Sequence, residues 1–231
     1  MLASYLAMHR EGHLDAAIHV MAYLKYHHNA RLVLDPTYPT IAKDKFPVFG
    51  WEEFYGDVME AIPLNSPEPL GNEVDIRMYV DSDHAGDQST RRSRTGYLIY
   101  LNMALVNWMS KKQPTIETSV FGAEFVAMKH GIESLRGLRY KLRMMGVPVV
   151  GPSYVYGDNM SVITNSQKPQ STLKKKCNSI CFHAVREAVA MGECLITHIP
   201  TANNLADVIT KVTFDAKRQN LVSCVLYDLY D

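Results

Sequence analysis

The chain has 231 residues, 47% of them hydrophobic, with 24 basic and 24 acidic side chains. That apolar fraction and balanced charge exclude a disordered chain and suffice for one large domain, or a medium domain with extensions. No run of about 18 apolar residues exists, which excludes a helical membrane span. His9, Arg10, Glu11 and His13 interrupt any secretory pattern, and the cysteines at 177, 181, 194 and 224 have no paired spacing. The expected setting is therefore intracellular and reducing, with free thiols.

Taken in chain order, Leu14, Ala17, Ile18, Met21 and Leu24 predict a helix over 13–28. A short strand is expected at Arg31–Leu34. Residues 35–74 hold six of the 11 prolines and read as a linker, with a short helix near Trp51–Ala61. From residue 75 the pattern changes. Ile76, Met78 and Val80 alternate with polar neighbours as in a half-buried strand. Two more strands, Thr95–Leu101 and Ala104–Met109, complete an antiparallel meander. A long helix is expected over 118–145, its apolar stripe formed by Phe121, Phe125, Met128, Ile132, Leu135, Leu138 and Leu142. Strand 154–156, helix 159–165, helix 178–191, strand 194–199 and helix 203–211 follow. This order predicts an α/β fold with a mixed sheet, because the later strands are separated by helical crossovers.

Charge is unevenly spread along that order. Residues 1–74 hold 5 basic and 10 acidic side chains, and residues 75–211 hold 17 and 11. On charge alone the middle block suits a polyanionic partner and a merely solvated basic surface equally well. Four of its acids fall at strand ends and helix starts: Asp81, Glu124, Asp158 and Asp207. Such positions collect at one edge of an α/β sheet. Carboxylates gathered there suit hard divalent cations. Taken singly, each acid reads better as a helix cap or a surface charge than as a metal ligand.

Seven blocks in order carry a family resemblance. They are Tyr79-Val80-Asp81-Ser82-Asp83-His84-Ala85-Gly86-Asp87, Arg91-Arg92-Ser93-Arg94-Thr95-Gly96-Tyr97, Trp108-Met109-Ser110-Lys111-Lys112-Gln113-Pro114, Gly122-Ala123-Glu124-Phe125-Val126-Ala127, Tyr156-Gly157-Asp158-Asn159-Met160-Ser161-Val162-Ile163, His183-Ala184-Val185-Arg186-Glu187 and Ala206-Asp207-Val208-Ile209-Thr210-Lys211. Together they resemble the ribonuclease H domain of copia-type retrotransposon polyproteins. Upstream, His13 to Lys25 is similar to the tail of the reverse transcriptase of the same polyproteins. Gly122 departs from the family's first Glu, His84 from its Trp, and Cys177-Asn178-Ser179 from its H-I-D; none removes an expected ligand.

The resemblance implies a ribonuclease H-like fold: a five-stranded mixed sheet, three antiparallel strands then two parallel, flanked by helices. It divides the chain into a reverse transcriptase thumb or connection remnant (1–34), a Pro-rich linker (35–74), the ribonuclease H-like domain (75–211) and a helical tail (212–231). It implies metal-dependent hydrolysis of the RNA strand of RNA–DNA hybrids. Asp81, Glu124, Asp158 and Asp207 would be both catalytic and metal-binding, with two Mg²⁺ ions, or Mn²⁺, as cofactor. Asp81 is preferred to Asp83 because it closes the strand. Arg91, Arg92, Arg94, Lys111, Lys112 and Asn159 are expected to hold nucleic acid. Arg136 and Arg139 join them through a stripe with Lys129 and Arg143 on the long helix, and Lys174–Lys176 adds a cluster. The expected partners are the hybrid and the polymerase region of the same polyprotein, with no membrane and no small-molecule cofactor. The expected location is the cytoplasm, in a retrotransposon particle, or the nucleus. A strand transferase shares the fold, but its acids run Asp, Asp, Glu, whereas here the Glu comes second. A non-catalytic nucleic-acid-binding module is the other rival.

Overall fold

The computed structural model describes residues 2, 7–174, 176–213 and 215–227. Lys175, residues 1 and 3–6 of the first segment, and residues 214 and 228–231 of the expected tail lie outside them. Five strands form one sheet: β1 (Ile76–Asp83), β2 (Arg94–Leu101), β3 (Ala104–Lys112), β4 (Ser153–Gly157) and β5 (Cys194–His198). Their spatial order is β3-β2-β1-β4-β5. β1 pairs antiparallel with β2 and parallel with β4, and β4 pairs parallel with β5. The expected ribonuclease H-like sheet of three antiparallel and two parallel strands is the one observed.

The alternation in β1 sends Ile76, Met78 and Val80 into the core. There they meet α3 (Val120–Met144), whose Phe125, Met128, Ile132, Leu135 and Leu142 are buried. Ser119 caps α3 by accepting a hydrogen bond from Gly122 N at 3.2 Å. α4 (Met160–Gln167) and α5 (Ser179–Ala190) extend this layer. The opposite face is smaller: Leu98, Tyr100 and Leu105 pack with Leu205, Ile209 and Val225. Two short helices lie near these residues, α6 (Asp207–Thr210) and α7 (Asp215–Ser223).

The segments before β1 separate into two kinds. α1 (Glu11–Tyr26) buries no residue, and its stripe of Leu14, Ile18, Met21 and Leu24 is exposed. The strand expected at Arg31–Leu34 is only an isolated bridge between Arg31 and Tyr227. Residues 35–74, the expected Pro-rich linker, are mostly irregular but pack against the domain. They form a strap laid along the domain. Phe46 packs edge-on against Tyr154 and Tyr156, and Trp51, at the head of α2 (Glu52–Tyr55), is 6% exposed within the main core. The Arg186 guanidinium sits 4.9 Å from the Trp51 ring centroid. Proline breaks regular structure but leaves side chains free to pack, so an irregular segment still belongs to the core. Phe46 and Trp51 of this segment are thus buried against the domain.

Candidate active site

Asp81 sits on β1 opposite Gly96 of β2 and is fully buried. Glu124 enters from the first turns of α3, and Asp158 follows the last residue of β4. Because β1 and β4 run parallel, their ends bring Asp81 and Asp158 to the same sheet edge. Oxygens of Asp81, Glu124 and Asp158 all lie within 4.8 Å of one another. β1 runs on through Asp83, so Asp81 does not close the strand; Asp83, the alternative to Asp81, uses its Oδ1 to accept a hydrogen bond from Arg94 N at 2.6 Å across the β1–β2 pair.

The electrostatics follow from this packing. Burial, opposed by Lys211 and Thr210 and reinforced by Asp207, pushes the Asp81 carboxyl up to about 7. Burial, then the charges of Asp81 and Asp158, holds Glu124 well above the usual carboxylate range. The three acids are hard oxygen donors whose mutual repulsion a divalent cation would relieve, so this donor set fits such an ion.

Asp207 is fully buried on α6, beside the trio, but its oxygens are engaged differently. Lys211 Nζ lies 2.9 Å from Asp207 Oδ1 and 2.8 Å from Asp81 Oδ1. Lys217 Nζ donates to Asp207 Oδ2, and Thr210 Oγ1 donates to Asp81 Oδ2. α6 is in turn fixed to the sheet. Asn204 Nδ2 donates to Val80 O at 3.0 Å, and Ser110 Oγ donates to Ile209 O at 2.6 Å. Gly96 is required where α6 crosses β2: a Cβ there would lie 2.3 Å from Thr210 Cγ2.

The basic residues divide. Arg91 and Arg92 are exposed in the loop after β1, and Lys111 is exposed on β3. Arg94 is half-buried and places Nη1 3.4 Å from Ser110 O, while Lys112 pairs with Asp87. The cations of the stripe expected on α3 have acidic or polar partners within the chain. Arg139 is 2% exposed and binds Glu60 and Ser153, and Arg143 binds Glu60 as well. Arg136 makes two bonds to Glu193, at 2.8 and 2.9 Å, and Lys129 pairs with Glu133 at 2.8 Å. Arg139 and Arg143 face the strap and Arg136 faces Glu193 just before β5, while Lys129 pairs along α3 itself. Asn159 caps α4, with Oδ1 accepting from Ser161 N and Val162 N.

Sequence reasoning placed Thr210 and Lys211 in a motif but gave them no role, and it overlooked Lys217. The signal for Lys211 was its position four residues after Asp207, which puts both on one helix face. Gln113 was likewise missed. It is buried and donates to Thr95 Oγ1 at 3.0 Å and Ala123 O at 2.9 Å, fastening the start of α3 to β2.

No protein-family model matches the chain. It is 29% identical over 153 residues to the retrovirus-related Pol polyprotein from transposon RE1 of Arabidopsis thaliana, covering 66% of this chain and 10% of that protein. It is 30% identical over 142 residues to the retrovirus-related Pol polyprotein from transposon TNT 1-94 of Nicotiana tabacum, covering 62% and 11%. The match thus spans about a tenth of the length of these relatives. Among solved structures, LC11-RNase H1 in complex with RNA/DNA hybrid superposes with a TM-score of 0.47 and 19% identity, over 58% of this chain and 93% of that one. In sequence the chain is thus similar to part of the retrovirus-related Pol polyproteins of plant transposons, and its five-stranded mixed sheet with an acidic edge is the one that the ribonuclease H resemblance implies.

Proposed function

We propose that the chain hydrolyses the RNA strand of RNA–DNA hybrids with the help of a divalent metal ion, as part of a retrotransposon's reverse transcription machinery. The observation that carries this reading is the convergence of Asp81, Glu124 and Asp158 within 4.8 Å at one sheet edge. These three residues would hold the ion, Mg²⁺ or Mn²⁺. When bound, it supplies positive charge to the phosphodiester as charge builds up during cleavage.

The chain's own residues do the rest. Asp81 is held in place by Thr210 and Lys211, and Glu124 by the rigid start of α3. Arg91 and Arg92 on the β1–β2 loop and Lys111 on β3 are exposed cations, suited to phosphates without regard to sequence. The exposed apolar stripe of α1 supports a second partner, the polymerase region of the same polyprotein.

The test is a cleavage assay on labelled hybrid with and without Mg²⁺, with duplex DNA and duplex RNA as controls. Metal-dependent cuts confined to the RNA of the hybrid are expected. A folded protein that leaves the hybrid intact, or that cuts duplex DNA equally well, overturns the reading.

A further inference from the structure

The acidic edge has two halves that share Asp81. One half is the trio of Asp81, Glu124 and Asp158. The other is the gap between Asp81 and Asp207, and a side chain of this chain fills it. Lys211 Nζ stands 2.8 Å from Asp81 Oδ1 and 2.9 Å from Asp207 Oδ1. The remaining oxygens of the pair are also engaged, Asp81 Oδ2 by Thr210 and Asp207 Oδ2 by Lys217. Both oxygens of Asp207 therefore face ammonium groups.

We propose that Lys211 is the resident cation of the Asp81–Asp207 half of the site, so that the chain takes one divalent ion where its four acids would otherwise take two. This rests on the metal-dependent reading above.

The argument is geometric. A carboxylate oxygen meets an ammonium at about 2.7–2.9 Å and a Mg²⁺ ion at about 2.0–2.1 Å, so one gap cannot hold both. Lys211 is also fixed to its place. It lies one helical turn after Asp207, and its own N–H donates to Asp207 O at 3.0 Å. Lys211 touches Asp81 rather than substrate, which makes it a positioning residue: it sets the ion count and the alignment of Asp81.

The experiment counts ions on the full chain. Mn²⁺ is titrated into metal-free protein by calorimetry, with free Mn²⁺ followed by paramagnetic resonance. Wild type is expected to bind one ion per chain. Lys211→Met, which keeps length and removes charge, is expected to bind two, the first at least about tenfold more tightly because a nearby positive charge is gone. Lys211→Arg keeps the charge and should keep the single ion. Asp158→Asn should abolish the wild-type ion, an arm that tests the metal reading by itself. Wild type or Lys211→Arg binding two ions overturns the inference, as does Lys211→Met binding one with unchanged affinity; in each case the metal reading stands if Asp158→Asn still abolishes binding. No ion on wild type or on Lys211→Met overturns both. If Lys211→Met does not fold, the wild-type count and Lys211→Arg still decide.

Discussion

Glu60 accepts Arg139 Nε at 2.7 Å across 79 residues of sequence, and this pair ties the proline-rich strap to the long helix behind the sheet. Burial would raise the Glu60 carboxyl, but hydrogen bonds from Arg139 and Arg143 outweigh it and hold Glu60 at about 2. A carboxyl lowered on folding contributes stability above its unfolded value, and that stability is lost as pH falls through the folded value. Glu60→Gln should therefore cost on the order of 3 kcal/mol at pH 7. The gap between wild type and variant should narrow below about pH 4.5 and close near pH 2. Urea unfolding of both proteins across that range checks this; a gap that stays constant with pH would assign the loss to packing instead.

The strap makes truncation informative. Deleting residues 1–28 removes α1, which buries nothing, and should leave the unfolding midpoint almost unchanged. Deleting residues 1–70 removes Phe46, Trp51 and Glu60 and should abolish cooperative unfolding. Trp51→Ala, a single change inside the strap, should cost about 3–5 kcal/mol. Circular dichroism melts of the three proteins provide the measurement, and a stable 71–231 fragment would show that the strap is dispensable.

How far the sequence could be read depends on what kind of order each part carries. The β1 alternation and the α3 stripe are periodic, and both elements lie within a few residues of their expected bounds. The acids at strand ends were legible because topology alone gathers them. The strap was not, since prolines mark the absence of regular structure and say nothing of where Trp51 packs. Nor could the fate of Arg136 and Arg139 be read. Both cations look available on a helical wheel until Glu193 and Glu60, from distant segments, are brought against them.

Gly96 is a test of how tightly α6 must approach the sheet. A methyl group there would collide with Thr210 Cγ2, and Thr210 holds Asp81. Gly96→Ala should displace α6 and lower hybrid cleavage by about 10²-fold, the size of effect expected when a reacting group is misplaced by about an ångström. Affinity for the hybrid, measured at fixed salt, should fall far less. Equal losses in binding and turnover would place the damage in substrate binding rather than in Asp81.

The divided basic residues predict two different phenotypes. Arg91→Gln and Arg92→Gln should weaken hybrid binding and flatten its salt dependence, by about 0.9 in the logarithmic slope for each phosphate that is no longer neutralised. Arg136→Gln should leave the slope unchanged and lower stability, because it leaves buried Glu193 without its two-bonded partner. Binding isotherms at several salt concentrations separate the two groups. A flattened slope in Arg136→Gln would return that residue to the nucleic-acid surface.

The acidic trio predicts opposite changes in two observables. Glu124 is buried beside Asp81 and Asp158, so its charge is costly to the metal-free fold. Glu124→Gln keeps the shape and removes that cost. The variant should be at least as stable as wild type without metal, should gain less stability from Mg²⁺, and should lose at least about 10²-fold in hybrid cleavage. Asp158→Asn should lose activity and Mg²⁺ stabilisation in the same way. A purely structural role for Asp158 as a helix cap does not compete, because Asn159 already fills that position on α4. Thermal melts with and without Mg²⁺, run beside the cleavage assay on the same purified proteins, read both observables at once. Full activity in either folded variant would falsify the assignment of this trio to the metal and to the chemistry.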